Sequence, residues 1–227
     1  VDKRYLNDGM FVPRSERATP PEMSETDRMI LEDKSLDYRV LNFSTNTFNE
    51  NETSYFHKSV GGYHPAKLRR YQELIEAYIS PEMRKAMEAI AKNGGDMAAV
   101  DGNAVYPVLN MLNTKYFIMP LQGGDTAPIE NPYACGNAWF VNKVSFVDNA
   151  NEELATVGKI DVRHEAVADK KFQQTLGAST TNDSTATVTL KSYEPDRLVY
   201  DVKSTNGGVL VFSEIYYPGW TATIDGN

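Results

Sequence analysis

Cysteine is almost missing. Cys135 stands alone among 227 residues, so no disulfide can form within the chain and no Cys/His spacing of a zinc site exists. Histidine is nearly as scarce, with only His57, His64 and His164, which leaves little for imidazole catalysis. No apolar run approaches the roughly 20 residues that a membrane-spanning helix needs, and no signal-peptide pattern opens the chain. Basic residues are outnumbered, 23 against 31, for a net charge of −8. A general nucleic-acid binder needs a basic surface to displace counterions from phosphate, so the balance argues against that class of partner. Phosphate-loop spacing, a Gly-x-Ser-x-Gly elbow and internal repeats are all lacking.

What remains is the composition of a globular protein, 41% hydrophobic and 24% charged, enough to build a core in one large domain or two small ones. Up to about Pro21, prolines and charges predict a segment wrapped over the surface. Ser24 reads as the N-cap of a helix through "SETDRMILEDKS", with acidic residues in the first turn, where the helix dipole favours them. "DYRVLNF" predicts a short buried strand from Tyr38 to Phe43, and the Asn-, Ser- and Thr-rich stretch after it a long loop. From Pro65 the period turns helical. Leu68, Tyr71, Ile75 and Tyr78 share a face that Leu74 and Ile79 widen, and Arg69 and Glu73 lie at i,i+4 on the solvent side. A second helix is expected from Ser80 as N-cap, with Pro81 at its first position. Met83, Met87 and Ile90 form its stripe, and Gly94-Gly95 ends it. A short third helix, around Val105 to Leu112, runs into the apolar strand "KYFIM". Strands joined by helices imply an α/β layer.

After about Pro120 the character changes. "LQGGDTAPIENPYACGN" is rich in turn residues and marks a boundary. Beyond it, "AWFVNKVSFVDN" predicts a strand pair or one bent strand, and "ATVTLKSYEPDRLVYDVKS" a hairpin of alternating apolar residues. "GGVLVFSEIYYPGW" predicts a central strand, with one helix near "DKKFQQTL". The expected fold class is therefore α+β: an α/β part over residues 1–130, then a mostly antiparallel β-sandwich over residues 131–227. The final "YYPGWTATIDGN" describes a strand running into Asp225-Gly226, a two-residue hairpin signal that calls for a returning strand. The sandwich is thus expected to be truncated, a piece of something longer.

Four features are candidates for chemistry. In "GGYHPAKLRRYQELIEAYISPE" two glycines, a histidine and a Lys-Arg-Arg cluster meet at a helix start, where His57, Lys58, His64, Lys67, Arg69 and Arg70 could surround an anion. Against this, Pro65 removes an N–H donor that an anion would use, and a turn with a solvated basic face explains the same residues. His57 and His64 with a carboxylate could bind a metal or serve a hydrolase, but their spacing matches no helix-borne metal pair. A paired-carboxylate site cannot be located by spacing among 31 acidic residues. Tyr216, Tyr217 and Trp220 around Pro218-Gly219 could stack on sugar rings or close a strand corner. The ligand-binding candidates are thus His57, Tyr63, His64, Lys67, Arg70, Tyr216, Tyr217 and Trp220, with no catalytic residue, metal ligand or cofactor site indicated. Asn-x-Ser/Thr triplets begin at Asn42, Asn51 and Asn182 and match a glycosylation acceptor, although Asn42 falls in a predicted strand.

"EIYYPGWTATIDGN" also resembles the C-terminal extracytoplasmic signature of the YfhO family of bacterial polytopic membrane proteins, in which a Tyr-Tyr-Pro-Gly-Trp run precedes a strand and an Asp-Gly turn. "VLNMLNTKYFIMP" is similar to that family's helix-to-strand segment, and "SYFHKSVGGYHPAKLRRYQELIE" to the version carried by Bacteroidetes members. The resemblance covers the chain from about Asp37 onward. It implies an ectodomain of a GT-C-type glycosyltransferase that uses polyprenyl-phosphate-linked sugars to modify envelope polymers. The partners it implies are the membrane-embedded remainder of the same polypeptide and an envelope glycan or lipid-linked sugar. Such enzymes are expected to carry their catalytic carboxylate in an outer loop near the first membrane helices, a part this sequence does not contain. Gly61 to His64 and Tyr216 to Trp220 match the family pattern without gaining a role from it. A stand-alone carbohydrate-binding protein, and a soluble hydrolase using His57 and His64, remain the alternatives.

Overall fold

The computed structural model describes residue 13 and residues 19–176 and 183–226. The surface-wrapping segment expected before Pro21 lies mostly outside the described residues, as does Asn182, the acceptor of the third triplet. The first helix, α1 (Glu25–Leu31), starts at a capping box: Ser24 Oγ accepts from the Asp27 N–H, and Asp27 accepts from the Ser24 N–H. Strand β1 (Arg39–Asn42) follows, then a one-turn helix α2 (Thr53–Phe56) within the stretch expected to be only loop. That stretch is tied to the sheet, since Ser59 bridges to Val40 on the outer side of β1 and Val60 is wholly buried.

Residues 69–92 form one continuous helix and not two. It runs from α3 (Arg69–Leu74) through a π-helical turn (Ile75–Ile79) into α4 (Ser80–Lys92). Ser80 is helical and caps nothing; its N–H reaches back five residues to Ile75 O. Pro81 explains the wide turn. Inside a helix its ring collides with the carbonyl four residues back and it donates no hydrogen bond, and a π turn just before it makes room. Leu68, expected on the buried face, precedes the helix and is exposed. At the other end Gly95 N–H bonds Ile90 O and Gly94 N–H bonds Ala91 O, both glycines left-handed, so the helix closes in a Schellman motif.

Two short helices, α5 (Gly102–Val105) and α6 (Pro107–Met111), lead into β2 (Thr114–Pro120), which pairs parallel with β1 and antiparallel with β3 (Thr126–Glu130). The period of two in the strands sorts the core. Val40 and Ile118 face Ile30 of α1, while Leu41 and Phe117 face Ile75, Ile79 and Ile90 of the long helix. Helix, sheet and helix therefore stack as layers. Glu82 is buried among them and its carboxylate accepts from the Val108 and Leu109 N–H groups, both at 3.0 Å, capping α6 where Pro107 begins it.

The second half is mixed too. Strand β4 (Ala138–Val141) breaks at Asn142 from β5 (Lys143–Val147), and the two enter different sheets. A helix that the sequence reading omitted, α7 (Ala150–Val157), carries the chain from β5 to a parallel partner, β6 (Glu165–Asp169). Helix α8 (Gln173–Leu176) is a single turn. The expected hairpin is formed by β7 (Thr187–Glu194) and β8 (Arg197–Lys203), and β9 (Val209–Phe212) pairs antiparallel with β4. The architecture is thus α+β with several small open sheets; in the second half the described strands form three two-stranded sheets, one of them parallel. Cys135 lies in the second core with Trp139, Val141, Val144 and Val162, and burial pushes its thiol up to about 11, leaving it unreactive. The strand expected through Tyr216–Thr223 does not form, although Asp225 and Gly226 both take the left-handed conformation of a two-residue hairpin turn.

Burial pushes the Glu82 carboxyl up to about 7, prevailing over the two backbone bonds and Lys85, which lower it. An acid whose folded-state value is raised stabilises the fold most below its ordinary value of 4.5 and loses that contribution as pH rises through about 7. The loss is on the order of 3 kcal/mol. Urea titrations at pH 5 and pH 8 should therefore show a lower midpoint at pH 8, and Glu82→Gln should flatten that difference. The variant should also impose a pH-independent loss of about 1–3 kcal/mol, because its amide N–H₂ faces a backbone donor.

Candidate functional site

The residues singled out in the sequence divide into three groups in space. His57 is the clearest correction. Its side chain is buried and its Nε2 lies 2.9 Å from Asp27 Oδ1. Burial pushes the Asp27 carboxyl up, but hydrogen bonds from Ser24 and then His57 outweigh that and leave it below its ordinary value. His57 therefore fastens the α2 segment to the capped start of α1 and is withdrawn from any ligand surface. Asn42 is likewise buried, its amide donating to Thr53 Oγ1 at 3.0 Å, and cannot accept a glycan.

The Gly-Gly-Tyr-His stretch forms the second group. Gly61 is pressed on the Thr47 backbone so closely that a Cβ there would overlap the Thr47 carbonyl oxygen and Cγ2. Gly62, left-handed at φ +106°, turns the chain and donates its N–H to the same carbonyl. The two glycines thus serve a close approach between two segments. Tyr63 and His64 emerge from this turn into solvent, where His64 Nδ1 accepts from the Ala66 N–H at 3.0 Å. His57 and His64 thus have separate partners in different surroundings, one buried and one exposed.

The third group is where sequence-distant candidates meet. Tyr217-Pro218-Gly219-Trp220 is a β-turn closed by the Trp220 N–H on Tyr217 O at 3.2 Å, with Pro218 at its second position and Gly219 at φ +112° in its third. Those residues in those places specify a type II turn. It leaves Tyr216, Tyr217 and Trp220 with 58%, 55% and 40% of their surface exposed, high for large aromatics. The Arg70 guanidinium, at the start of the long helix, stands 5.8 Å from the Tyr216 ring centre, within cation–π range. Lys67 lies 5.4 Å from the Phe48 ring. Neither Arg70 nor Lys67 has an ion-pair partner among the described residues. The surface therefore offers flat apolar faces beside available hydrogen-bond donors.

One charged cluster escaped the sequence reading. Arg39, on β1, donates from Nη1 to Leu112 O (2.8 Å) and Ser213 O (3.0 Å), and from Nη2 to Glu214 Oε2 (3.1 Å). Lys58 Nζ bonds Asp37 Oδ1 at 2.5 Å and lies 2.8 Å from the Tyr193 ring centre on β7. Asp37 takes φ +55°, a conformation Asp tolerates better than most residues, and its side chain is almost fully enclosed. These groups come from five separated segments, and no local spacing announces them. A cleft of about 280 Å³ beside them is lined by Asp37, Tyr38, Lys115, Glu130 and Asn137, among others. Comparison with protein-family models, with curated proteins and with solved structures finds no match to this chain.

Two substitutions separate packing from surface. Gly61→Ala should lower stability by about 2–3 kcal/mol, read from chemical denaturation, because backbone must move to admit the methyl group. Tyr217→Ala and Trp220→Ala, both on exposed positions, should change it by no more than about 0.5 kcal/mol.

Proposed function

We propose that this chain is the extracytoplasmic domain of a polytopic YfhO-like membrane glycosyltransferase, held at the outer face of a bacterial membrane by the membrane-embedded remainder of the same polypeptide. Its role is to position or recognise an envelope glycan acceptor, without carrying out transfer itself. The observation that carries this reading is the aromatic turn Tyr216–Trp220 with Arg70 against Tyr216. Tyrosine and tryptophan rings present C–H-binding faces, and their O–H and N–H groups, with a guanidinium, supply donors to hydroxyl oxygens. That combination suits a sugar ring, which is apolar on its faces and polar at its rim. The same residues carry the resemblance to the YfhO signature. No helix among the described residues is long and apolar enough to cross a membrane. The β4–β9 and β7–β8 pairs are read in this proposal as portions of the two layers of a sandwich.

The same aromatic turn supports a second reading, a stand-alone carbohydrate-binding protein. The gene on either side of this segment decides between them: repeated apolar spans of about 20 residues, with an acidic residue in an early outer loop, are expected for the membrane transferase. Glycan recognition is tested by titrating the protein with soluble envelope polysaccharide fragments in a calorimeter. Binding is expected to weaken at least tenfold in Trp220→Ala and Tyr217→Ala with the fold intact. Heat changes that are absent, or identical in both variants, would sink the glycan reading.

A further inference from the structure

We propose that the sugar held at the aromatic turn is an acidic one, and that Arg70 and Lys67 bind its oxyanion, a carboxylate or a phosphate, beside the stacked ring. This inference rests on the glycan reading given under Proposed function and narrows it to a ligand class.

The charge balance sets these two cations apart. Acidic residues outnumber basic ones by 31 to 23, so a lysine or arginine finds an acid more readily than the reverse. Arg70 and Lys67 nevertheless form neither an ion pair nor a hydrogen bond through their charged groups among the described residues. The acids that flank the site in sequence are committed elsewhere. Glu73, three residues after Arg70, accepts from Arg69 Nε at 2.8 Å. Glu214, two residues before Tyr216, accepts from Arg39. Glu50, two residues after Phe48, accepts from the Thr53 N–H at 3.0 Å.

Both cations are also positioned. The Arg70 guanidinium stands 5.8 Å from the Tyr216 ring centre and the Lys67 ammonium 5.4 Å from that of Phe48. Such a contact engages the face of the ring and gives the N–H groups no acceptor in the plane of a hydrogen bond. Lys67 and Arg70 are three residues apart, so their α-carbons lie within about 11 Å of each other, near enough for one ligand to span them.

A neutral sugar has no need of this pair. Each of its hydroxyl oxygens is served by a single donor of the kind a Tyr O–H or the Trp220 N–H supplies. A guanidinium offers two parallel N–H bonds, which match two oxygens of one carboxylate or phosphate, and the ammonium adds a second positive charge. The excess of acids over the rest of the chain repels an anionic polymer and so directs it to the patch where the sign is reversed.

The test is a set of calorimetric titrations of the full chain with soluble envelope polysaccharide fragments, separated by anion exchange into neutral and acidic fractions. The acidic fraction is also used after reduction of its carboxyl groups, and again after removal of its phosphates. The untreated acidic fraction is expected to bind about tenfold more tightly than the neutral one. One of the two treatments should abolish that preference, and which one does so distinguishes carboxylate from phosphate. Arg70→Gln should lower affinity for the acidic fraction about tenfold and Lys67→Gln about threefold. Arg70→Lys should fall between wild type and Arg70→Gln, because an ammonium keeps the charge and loses the fork. Affinity for the neutral fraction should stay within about twofold in all three variants, since the aromatic faces remain. Equal binding of both fractions, or a preference that survives both treatments, would overturn the acidic-sugar proposal and leave the glycan reading standing. An equal loss for both fractions in Arg70→Gln would assign Arg70 to holding Tyr216 in place and would also overturn it. Heat changes absent with every preparation would refute the glycan reading and this inference with it.

Discussion

The Arg39 guanidinium joins the beginning, middle and end of the chain. From one strand position it bonds the carbonyl that ends α6, the carbonyl after β9 and the carboxyl of Glu214, which lies 175 residues away in sequence. A lysine could not do this, because three partners in different directions need the planar fork of a guanidinium. Removing such a charge from water is costly, and the attraction to one carboxylate does not reliably offset it. The two carbonyls supply further hydrogen bonds that help to offset it. Lys58 repeats the pattern on a smaller scale, with Asp37 on one side and the Tyr193 ring on the other. The first sheet and the second-half hairpin thus meet through charged groups, whereas the separate cores on either side are apolar.

Elements with a clean period were legible in the sequence. The β7–β8 hairpin alternates, β1 and β2 are short apolar runs, and Ser24 opens a helix with an acid in the third position. The failures have local causes. Ser80-Pro81 has the look of a helix start, and only the tertiary demand that Ile75, Ile79 and Ile90 reach one core makes the chain continue through a π turn. Helix α7 was missed because it buries no side chain fully and so shows little stripe, although Asn149 and Glu152 mark its start. β6 is half-buried throughout and shows neither alternation nor a continuous apolar run.

The site was readable to the extent that it is local. Pro218-Gly219 specify their turn and therefore the exposure of the aromatics around it. Arg70 against Tyr216 was not readable, since it depends on how the long helix lies against the tail. The Gly-Gly pair invites the idea of a ligand cradle, but its reason is Thr47, a loop residue whose approach no spacing encodes. His57 shows the same limit: a histidine in a polar stretch is indistinguishable, in sequence, from one that turns inward to meet an acid 30 residues earlier.

The reach of Arg39 also sets an order of assembly. The α1–β1–β2–β3 layer and the long helix supply every fully buried residue of their own cores by residue 119, with Tyr133 and Val157 adding only partly buried cover, so they can close early, as N-terminal units do during synthesis. Arg39, Asp37 and Lys58 would then wait at the edge of a finished layer, hydrated and unpaired by their late partners. The contacts that dehydrate them arrive with residues 193–214, at the far end of a loop closure that spans 175 residues. A nascent chain stalled before that point would therefore be a structured body with an open, charged flank, and not an unfolded one.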